Sequence, residues 1–406
     1  MIITLVCDVL GKENNGTTIA AMNMVRAMQK RGHEVRVVCA DQDKKGQPSY
    51  YVVPTLNLGP INGYVAKNGV SLAKADQSVL EEAIRGADVV HAMLPYSLGA
   101  GAVKVAKRLG IALTGGCHAL AENFSTHVFL TRCALVNLLI YKIYYHRLYK
   151  HCAYVHYPSR MMCDLFEGAT EPMPHRIVSN GVSRDFCPGE EEKPEKYRGQ
   201  FVILFTGRYS KEKSHKVLID GVSRSKYAHR IRLIFAGAGP LEDKLKAYAA
   251  KRLPLQPVFG FFSRQEMRRI AGYADLYVHP ARYEAEGIAC LEAIACGKVI
   301  LSSDSKKSAT SGFALTENNL FHYNNPKSLA EKIDYWIGHP GKREECSAAY
   351  AQYASRFDFE KCMDEMEEMF YDAARTEGDL VLEDDGRLCG DEYSDADSGC
   401  DVPLHS

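Results

Sequence analysis

Two glutamates flank a glycine in residues 283–297, which read YEAEGIACLEAIACG. Glu284 is expected in the loop after a buried strand, and Glu292 one turn into a helix that follows Gly287 and stops at Gly297. A carboxylate surrounded by apolar side chains is energetically costly unless hydrogen-bond donors satisfy it, and ribose hydroxyls can be those donors. The first amides of a helix bind phosphate oxygens. The spacing therefore predicts a sugar-nucleotide site, with solvated glutamates on a surface helix as the alternative.

Two cationic residues follow a second predicted strand, at 201–206. Arg208 and Lys213 lie in GRYSKEKS, where a forked guanidinium and a point-like ammonium could hold a diphosphate. Departure of a diphosphate leaves negative charge that fixed cations stabilise. A third strand, at 232–236, ends at Gly237. Because the strand ends of a parallel sheet form one crevice, Arg208, Gly237 and Glu284 are expected to converge, although a solvated basic loop is the alternative.

The first half of the chain offers weaker signals. The loop GKENNGTT places Gly16 at the start of a predicted helix, where backbone amides could approach phosphate. An ordinary strand-to-helix turn fits equally well. His118 lies in TGGCHALAENFS, just beyond a predicted strand, and a hydrogen-bonded interior histidine is the alternative.

Residues 283–297 resemble the E-x7-E signature of the GT4 family of retaining glycosyltransferases. GRYSKEK is similar to the family's diphosphate-contacting pattern, and SNGV at 179–182 resembles its hinge-proximal element. The resemblance covers about residues 1–371 and is strongest in the second half. It implies an α/β protein with the GT-B fold, in which two Rossmann-like domains have parallel sheets facing an interdomain cleft.

The resemblance also implies residue roles. Transfer is expected to proceed by a front-face mechanism, in which the leaving phosphate helps to deprotonate the acceptor, with neither a metal nor a cofactor. Glu286 stands where the family usually has Phe, and Ile300 where proline is common, so the identity of the donor sugar stays open. The implied catalytic residues are His118, Arg208, Lys213 and Glu284, and the implied donor-binding residues are Gly16, Arg208, Lys213, Gly237, Glu284, Gly287, Ile288 and Glu292.

The 406 residues exceed one hydrophobic core, so two domains are expected. Alternating strands and helices predict one Rossmann-like domain at 1–183 and a second at 201–351. The resemblance implies that the first binds the acceptor and receives a helix at about 352–375, and that the second binds the nucleotide sugar. Residues 184–200 are polar and proline-containing, and predict a linker that buries no face. Ten acidic residues and one arginine predict a disordered tail at 376–406, and its D-x-D at 395–397 is interpreted as a solvated acidic run.

The amino-acid composition limits the classes of partner and the cellular location that we expect. Lys plus Arg equals Asp plus Glu at 50 each, which argues against nucleic acid as the main partner. The 13 cysteines are scattered without zinc-type spacing, which is typical of a reducing, cytosolic location. The first residues lack a basic n-region and predict a strand, not a signal peptide.

Residues 123–163 contain no acidic side chain but carry four cations that we single out as a membrane or acceptor surface: Arg132, Lys142, Arg147 and Lys150. Leucines and six tyrosines are interleaved with them. The apolar stretch is too short to span a bilayer but suits an anionic membrane surface. The alternative is an amphipathic helix whose apolar face belongs to the core.

Three segments resemble GT4 members that act on diacylglycerol, the glycolipid synthases of bacterial membranes: HALAENFS at 118–125, LIYKIYYHRLYKHCAYVHYPS at 139–159 and SKKSATSGFAL at 305–315. The leading hypothesis is a retaining hexosyltransferase that moves glucose from UDP-glucose to a membrane lipid such as diacylglycerol with an α-glycosidic bond. It would act as a peripheral protein on the cytoplasmic face of the cell membrane. A soluble or polysaccharide-precursor acceptor is the first alternative. A nucleotide-sugar epimerase, or a binding module without turnover, is the second.

Overall fold

The computed structural model describes residues 1–8, 10, 16–57, 59, 72–122, 133–189 and 191–383. Arg132 and most of the GKENNGTT loop are not among them, so the predictions made for these residues lie outside the described part of the chain.

Seven parallel strands form the sheet of the first lobe, in the order β3-β2-β1-β4-β5-β6-β7. Most side chains of the five inner strands are buried, as expected of a sheet covered on both faces, whereas those of the two edge strands are only partly buried or exposed. The strands are β1 Ile2–Val6, β2 Glu34–Cys39, β3 Tyr50–Val52, β4 Val89–Ala92, β5 Ala112–Gly116, β6 Tyr154–Tyr157 and β7 His175–Ile177. The helices are α1 Gly16–Lys30, α2 Gln77–Ile84, α3 Ser97–Leu109, α4 Ala134–Arg147 and α5 Arg160–Glu167.

Six parallel strands form the sheet of the second lobe, in the order β10-β9-β8-β11-β12-β13. The central pair, β8 and β11, feeds the loops that carry Arg208 and Glu284. The strands are β8 Phe201–Thr206, β9 Ile231–Ala236, β10 Val258–Gly260, β11 Leu276–His279, β12 Ile300–Ser303 and β13 Leu320–Phe321. The helices are α6 His215–Arg224, α7 Glu242–Ala250, α8 Arg264–Tyr273, α9 Ile288–Ala295, α10 Pro326–Gly338 and α11 Pro340–Tyr353.

The last helix, α12 Phe359–Glu383, returns to the first lobe. Met366 and Phe370 are fully buried in the core beneath β1, β2 and β4. His33 lies 2.6 Å from the Glu367 carboxylate, which fixes the helix against the turn before β2. This helix therefore completes the core of the lobe in which the chain begins.

Two boundaries differ from the sequence prediction. The helix expected from 352 begins at Phe359, because residues 354–357 form a tight turn where the chain crosses between lobes. The disordered tail expected from 376 does not begin there, since α12 continues through Glu383. The rest of the predicted tail lies outside the described residues.

The segment 184–200 is not a free linker. Phe186 and Tyr197 are 5% exposed and pack into the core of the second lobe. The expectation that this segment buries nothing was wrong, because two aromatic side chains can anchor an otherwise polar stretch.

Candidate active site

A cleft of about 960 Å³ separates the two lobes at the carboxyl ends of their strands. It contains every predicted site residue outside the basic surface, although their roles stay predictions. The predicted residues that line it are Gly16, His118, Arg208, Lys213, Gly237, Glu284, Gly287, Ile288 and Glu292.

Glu284 and Lys213 form an ion pair inside this cleft, with both side chains mostly buried. His279, the last residue of β11, lies 3.0 Å from the same carboxylate oxygen of Glu284. Burial alone would raise the pKa of Glu284, but the Lys213 charge and the His279 contact lower it to about 2. Glu284 is therefore an anion at any physiological pH. His279 was not predicted as a site residue; its place at the end of a strand was the only signal.

Arg208 is held by Glu212, whose carboxylate lies 3.3 Å from the guanidinium. The hydroxyl of Ser210 donates to the same oxygen of Glu212. Burial opposes ionisation, but Ser210 and the Arg208 charge keep the pKa of Glu212 below its usual value. Glu212, which the sequence reasoning missed, thus orients the arginine that the motif predicted.

Two glycines permit close approach of the backbone at the cleft. Gly287, at the start of α9, has φ of 91°, and a Cβ there would meet the Thr310 methyl at 2.4 Å. A Cβ on Gly237 would meet the Gly207 carbonyl oxygen at 2.1 Å. The first N–H groups of a helix lack intrahelical acceptors, and Ile288 and Ala289 bring those of α9 to the cleft wall. This end of α9 is suited to an anion.

Glu292 lies one turn along α9 and lines the same cleft. Burial raises its pKa to about 7, and the Arg264 charge offsets this only in part. A partly desolvated carboxylate of this kind favours partners that donate hydrogen bonds, such as sugar hydroxyls.

His118 reaches the cleft from the first lobe and is 8% exposed. Its ring packs edge-on against His156, with centroids 5.2 Å apart. Burial, together with His156 and His91, holds the pKa of His118 well below its usual value. Its buried Nε2 has no hydrogen-bond partner among the described residues. This nitrogen is enclosed beside Gly116, so a ligand in the cleft would meet another edge of the ring.

The predicted basic surface lies elsewhere. Lys142, Arg147 and Lys150 are exposed on α4 and the turn after it, and none of them lines the cleft. One face of α4 buries Ile140, Tyr141 and Tyr144 in the core of the first lobe. Another face leaves Leu135 77%, Leu139 59% and Ile143 41% exposed. Within the described part of the chain, no helix combines the length and apolar character needed to cross a bilayer.

One group of side chains outside the cleft has spacing compatible with a metal. Ligand atoms of Cys163, Glu167 and His175 lie within 4.8 Å of one another on α5 and β7. The His175 ring is also 2.9 Å from the Glu167 carboxylate, an arrangement that an ordinary ion pair explains.

Comparison with known proteins agrees with the fold and the cleft. The family described as "Glycosyltransferase Family 4" matches residues 14–186, and "Glycosyl transferases group 1" matches residues 188–353. An alpha-monoglucosyldiacylglycerol synthase of Streptococcus pneumoniae is 22% identical over 74% of this chain and 71% of its own. An uncharacterised glycosyltransferase of Methanocaldococcus jannaschii is 27% identical over 45% of this chain, which spans about half, 49%, of that relative.

Solved structures extend the likeness over nearly the whole chain. Anabaena HepE, in a complex with UDP and glucose, has a TM-score of 0.71 at 15% identity, and the match covers 92% of this chain and 100% of HepE. The chain belongs to the GT4 glycosyltransferases, and the predicted GT-B fold is confirmed.

The raised pKa of Glu292 predicts a pH-dependent stability. The folded state keeps a proton that the unfolded chain releases from about pH 4.5, so this group lowers the free energy of unfolding as pH rises towards 7. Glu292→Gln removes that loss and should be more stable than the wild type at pH 8, by on the order of 2 kcal/mol. Urea unfolding between pH 5 and 8 measures it, with the exposed Glu344→Gln as control. Equal pH dependence of Glu292→Gln and the wild type would contradict the assignment.

Proposed function

We propose that the protein is a retaining hexosyltransferase that moves glucose from UDP-glucose to a membrane lipid such as diacylglycerol, forming an α-glycosidic bond. The names of two similar proteins support this choice, one an alpha-monoglucosyldiacylglycerol synthase and the other a structure with UDP and glucose. The observation that carries the proposal is the concentration of cations and helix amides at one end of the cleft.

The cations serve the leaving group. A departing diphosphate accumulates negative charge, which preorganised donors stabilise most when charge develops. Lys213 has three N–H donors, of which the ion pair with Glu284 uses one. Arg208, oriented by Glu212, and the amides at the start of α9 supply the remaining positive field.

The carboxylates and the histidine serve the sugar and the ribose. Glu284 accepts hydrogen bonds from the hydroxyls of the transferred sugar, and Glu292 accepts those of the ribose. His118, which lines the cleft as a neutral imidazole, is placed near the reacting carbon. The leaving phosphate helps to deprotonate the acceptor hydroxyl on the same face, and neither a metal nor a cofactor takes part.

Helix α4 brings the protein to the lipid. Leu135, Leu139 and Ile143 follow one another at four-residue spacing, so they share a face that is distinct from the core-packing face. Exposed Lys142 and Arg147 lie beside them on the same helix. Leucines that insert between headgroups and cations that pair with anionic lipid suit peripheral binding at the cytoplasmic face of the cell membrane.

Removing either cation should slow the chemical step. Arg208→Ala and Lys213→Ala are each expected to lower turnover by ~10²-fold or more, because each removes charge aimed at the leaving group. Lys244→Ala, on the exposed side of α7, is the matched control and should retain normal turnover. Release of the nucleotide measures the rate. Near-normal rates in both site variants would refute the assignment.

Polar substitution on α4 should release the protein from membranes. Leu135→Ser with Leu139→Ser is expected to weaken sedimentation with phosphatidylglycerol-containing vesicles about tenfold or more, because two exposed leucines no longer insert. Leu315→Ser, which alters a leucine that is 38% exposed on the second lobe, is the control and should bind as the wild type does. Unchanged sedimentation of the double variant would contradict the assigned surface.

The acceptor is tested in the same vesicles with added diacylglycerol. The wild type should form a glucosyl lipid from UDP-glucose. No lipid product at any anionic-lipid content would eliminate the lipid acceptor in favour of a soluble one. If NMR shows that the nucleotide sugar is converted to its epimer in the absence of any acceptor, the protein would be an epimerase.

A further inference from the structure

The loop at 284–287, which we term the donor loop, is attached to the opposite lobe through a buried carboxylate. Glu286 belongs to the second lobe and is 4% exposed. It lines both the cleft and a second cavity of about 780 Å³ that lies on the other side of the loop. The side chain therefore forms part of the wall between two interdomain spaces.

Three donors from the first lobe surround this carboxylate. The Ser179 hydroxyl and the Asn180 backbone N–H donate to one oxygen, the latter at 3.0 Å. The Asn180 side-chain amide donates to the other oxygen. Such a set of donors satisfies a buried carboxylate that would otherwise be costly. Burial still raises the pKa of Glu286 to about 7.

Ser179 and Asn180 immediately precede the point where the chain passes between the lobes. The backbone N–H of Val182 donates to Phe357 at 2.7 Å, and that of Phe359 donates back to Val182 at 3.2 Å. The outgoing and returning segments are thus hydrogen-bonded to each other. Glu286 connects the donor loop to this crossing.

Two other residues of the donor loop are also connected to the first lobe, one directly and one through Lys307. The Ser159 hydroxyl donates to the Ala285 carbonyl at 2.6 Å. The backbone N–H of Glu284 donates to Lys307 at 3.1 Å, and the Lys307 ammonium pairs with buried Glu122 of the first lobe. The loop that carries Glu284 therefore rests on the first lobe as well as on its own.

We propose that Glu286 is a positioning residue that couples the arrangement of the two lobes to the conformation of the donor loop, and so to donor affinity. The inference rests on the proposed function of Glu284 and the start of α9. The Glu286 carboxylate itself acts through Ser179 and Asn180, to which both of its oxygens are hydrogen-bonded.

The test is a double-mutant cycle on UDP-glucose affinity, measured by calorimetry without an acceptor. Glu286→Ala is expected to weaken binding about tenfold, and Ser179→Ala several-fold, although Ser179 does not line the cleft. The double variant should be no weaker than Glu286→Ala alone, because both changes break one contact. Glu286→Gln keeps an acceptor oxygen and should recover part of the affinity. Ser183→Ala, four residues further along the crossing, is the matched control and should bind as the wild type does.

The outcomes separate this inference from the proposed function. The coupling would be overturned if Glu286→Ala bound UDP-glucose as tightly as the wild type does. It would also be overturned if the losses of affinity in the two single variants multiplied in the double variant. In either case the proposed donor site would stand as long as Arg208→Ala still weakened binding. No binding of UDP-glucose to the wild type would overturn both. If Glu286→Ala does not fold, the cycle is measured with Ser179→Ala, Glu286→Gln and the double variant that combines these two substitutions.

Discussion

The ion pair between Lys213 and Glu284 is the interaction on which the cleft depends. It joins the loops that follow β8 and β11, two strands that are hydrogen-bonded neighbours in the second sheet. Burial would favour a neutral carboxyl at Glu284, and the ammonium reverses this, so that the pKa is about 2. A carboxylate and an ammonium are thereby held side by side, each with capacity left for a ligand that carries both hydroxyls and phosphates.

The two lobes contribute differently to this arrangement. The second lobe supplies all the charged groups assigned to the donor, in the loops after β8 and β11 and one turn along α9. The first lobe supplies the neutral His118 and, on α4, an exposed apolar face whose opposite side is part of the core. Helix α12 returns to the first lobe, where Met366, Phe370 and Ala373 pack into the core beneath the sheet formed by the first residues of the chain.

The sequence predicted the parts of this structure that depend on local patterns. Strand β8 has the predicted bounds, because its apolar run is uninterrupted and has clear polar ends. The convergence of Arg208, Gly237 and Glu284 followed from parallel topology alone. The start of α12 and the anchoring of segment 184–200 were missed, since both depend on contacts made after the chain crosses between lobes. The partners of Glu286 lie more than one hundred residues away in sequence, so no local pattern indicates them.

The most direct test of the central claim compares nucleoside diphosphates with the corresponding nucleosides by calorimetry at low salt. If the cations and the amides at the start of α9 clasp a diphosphate, UDP should bind about 10²-fold or more tightly than uridine, and added salt should reduce the difference. GDP and guanosine provide the parallel pair if the base is guanine. Equal affinities within both pairs would show that the cleft does not recognise a diphosphate and would contradict the account.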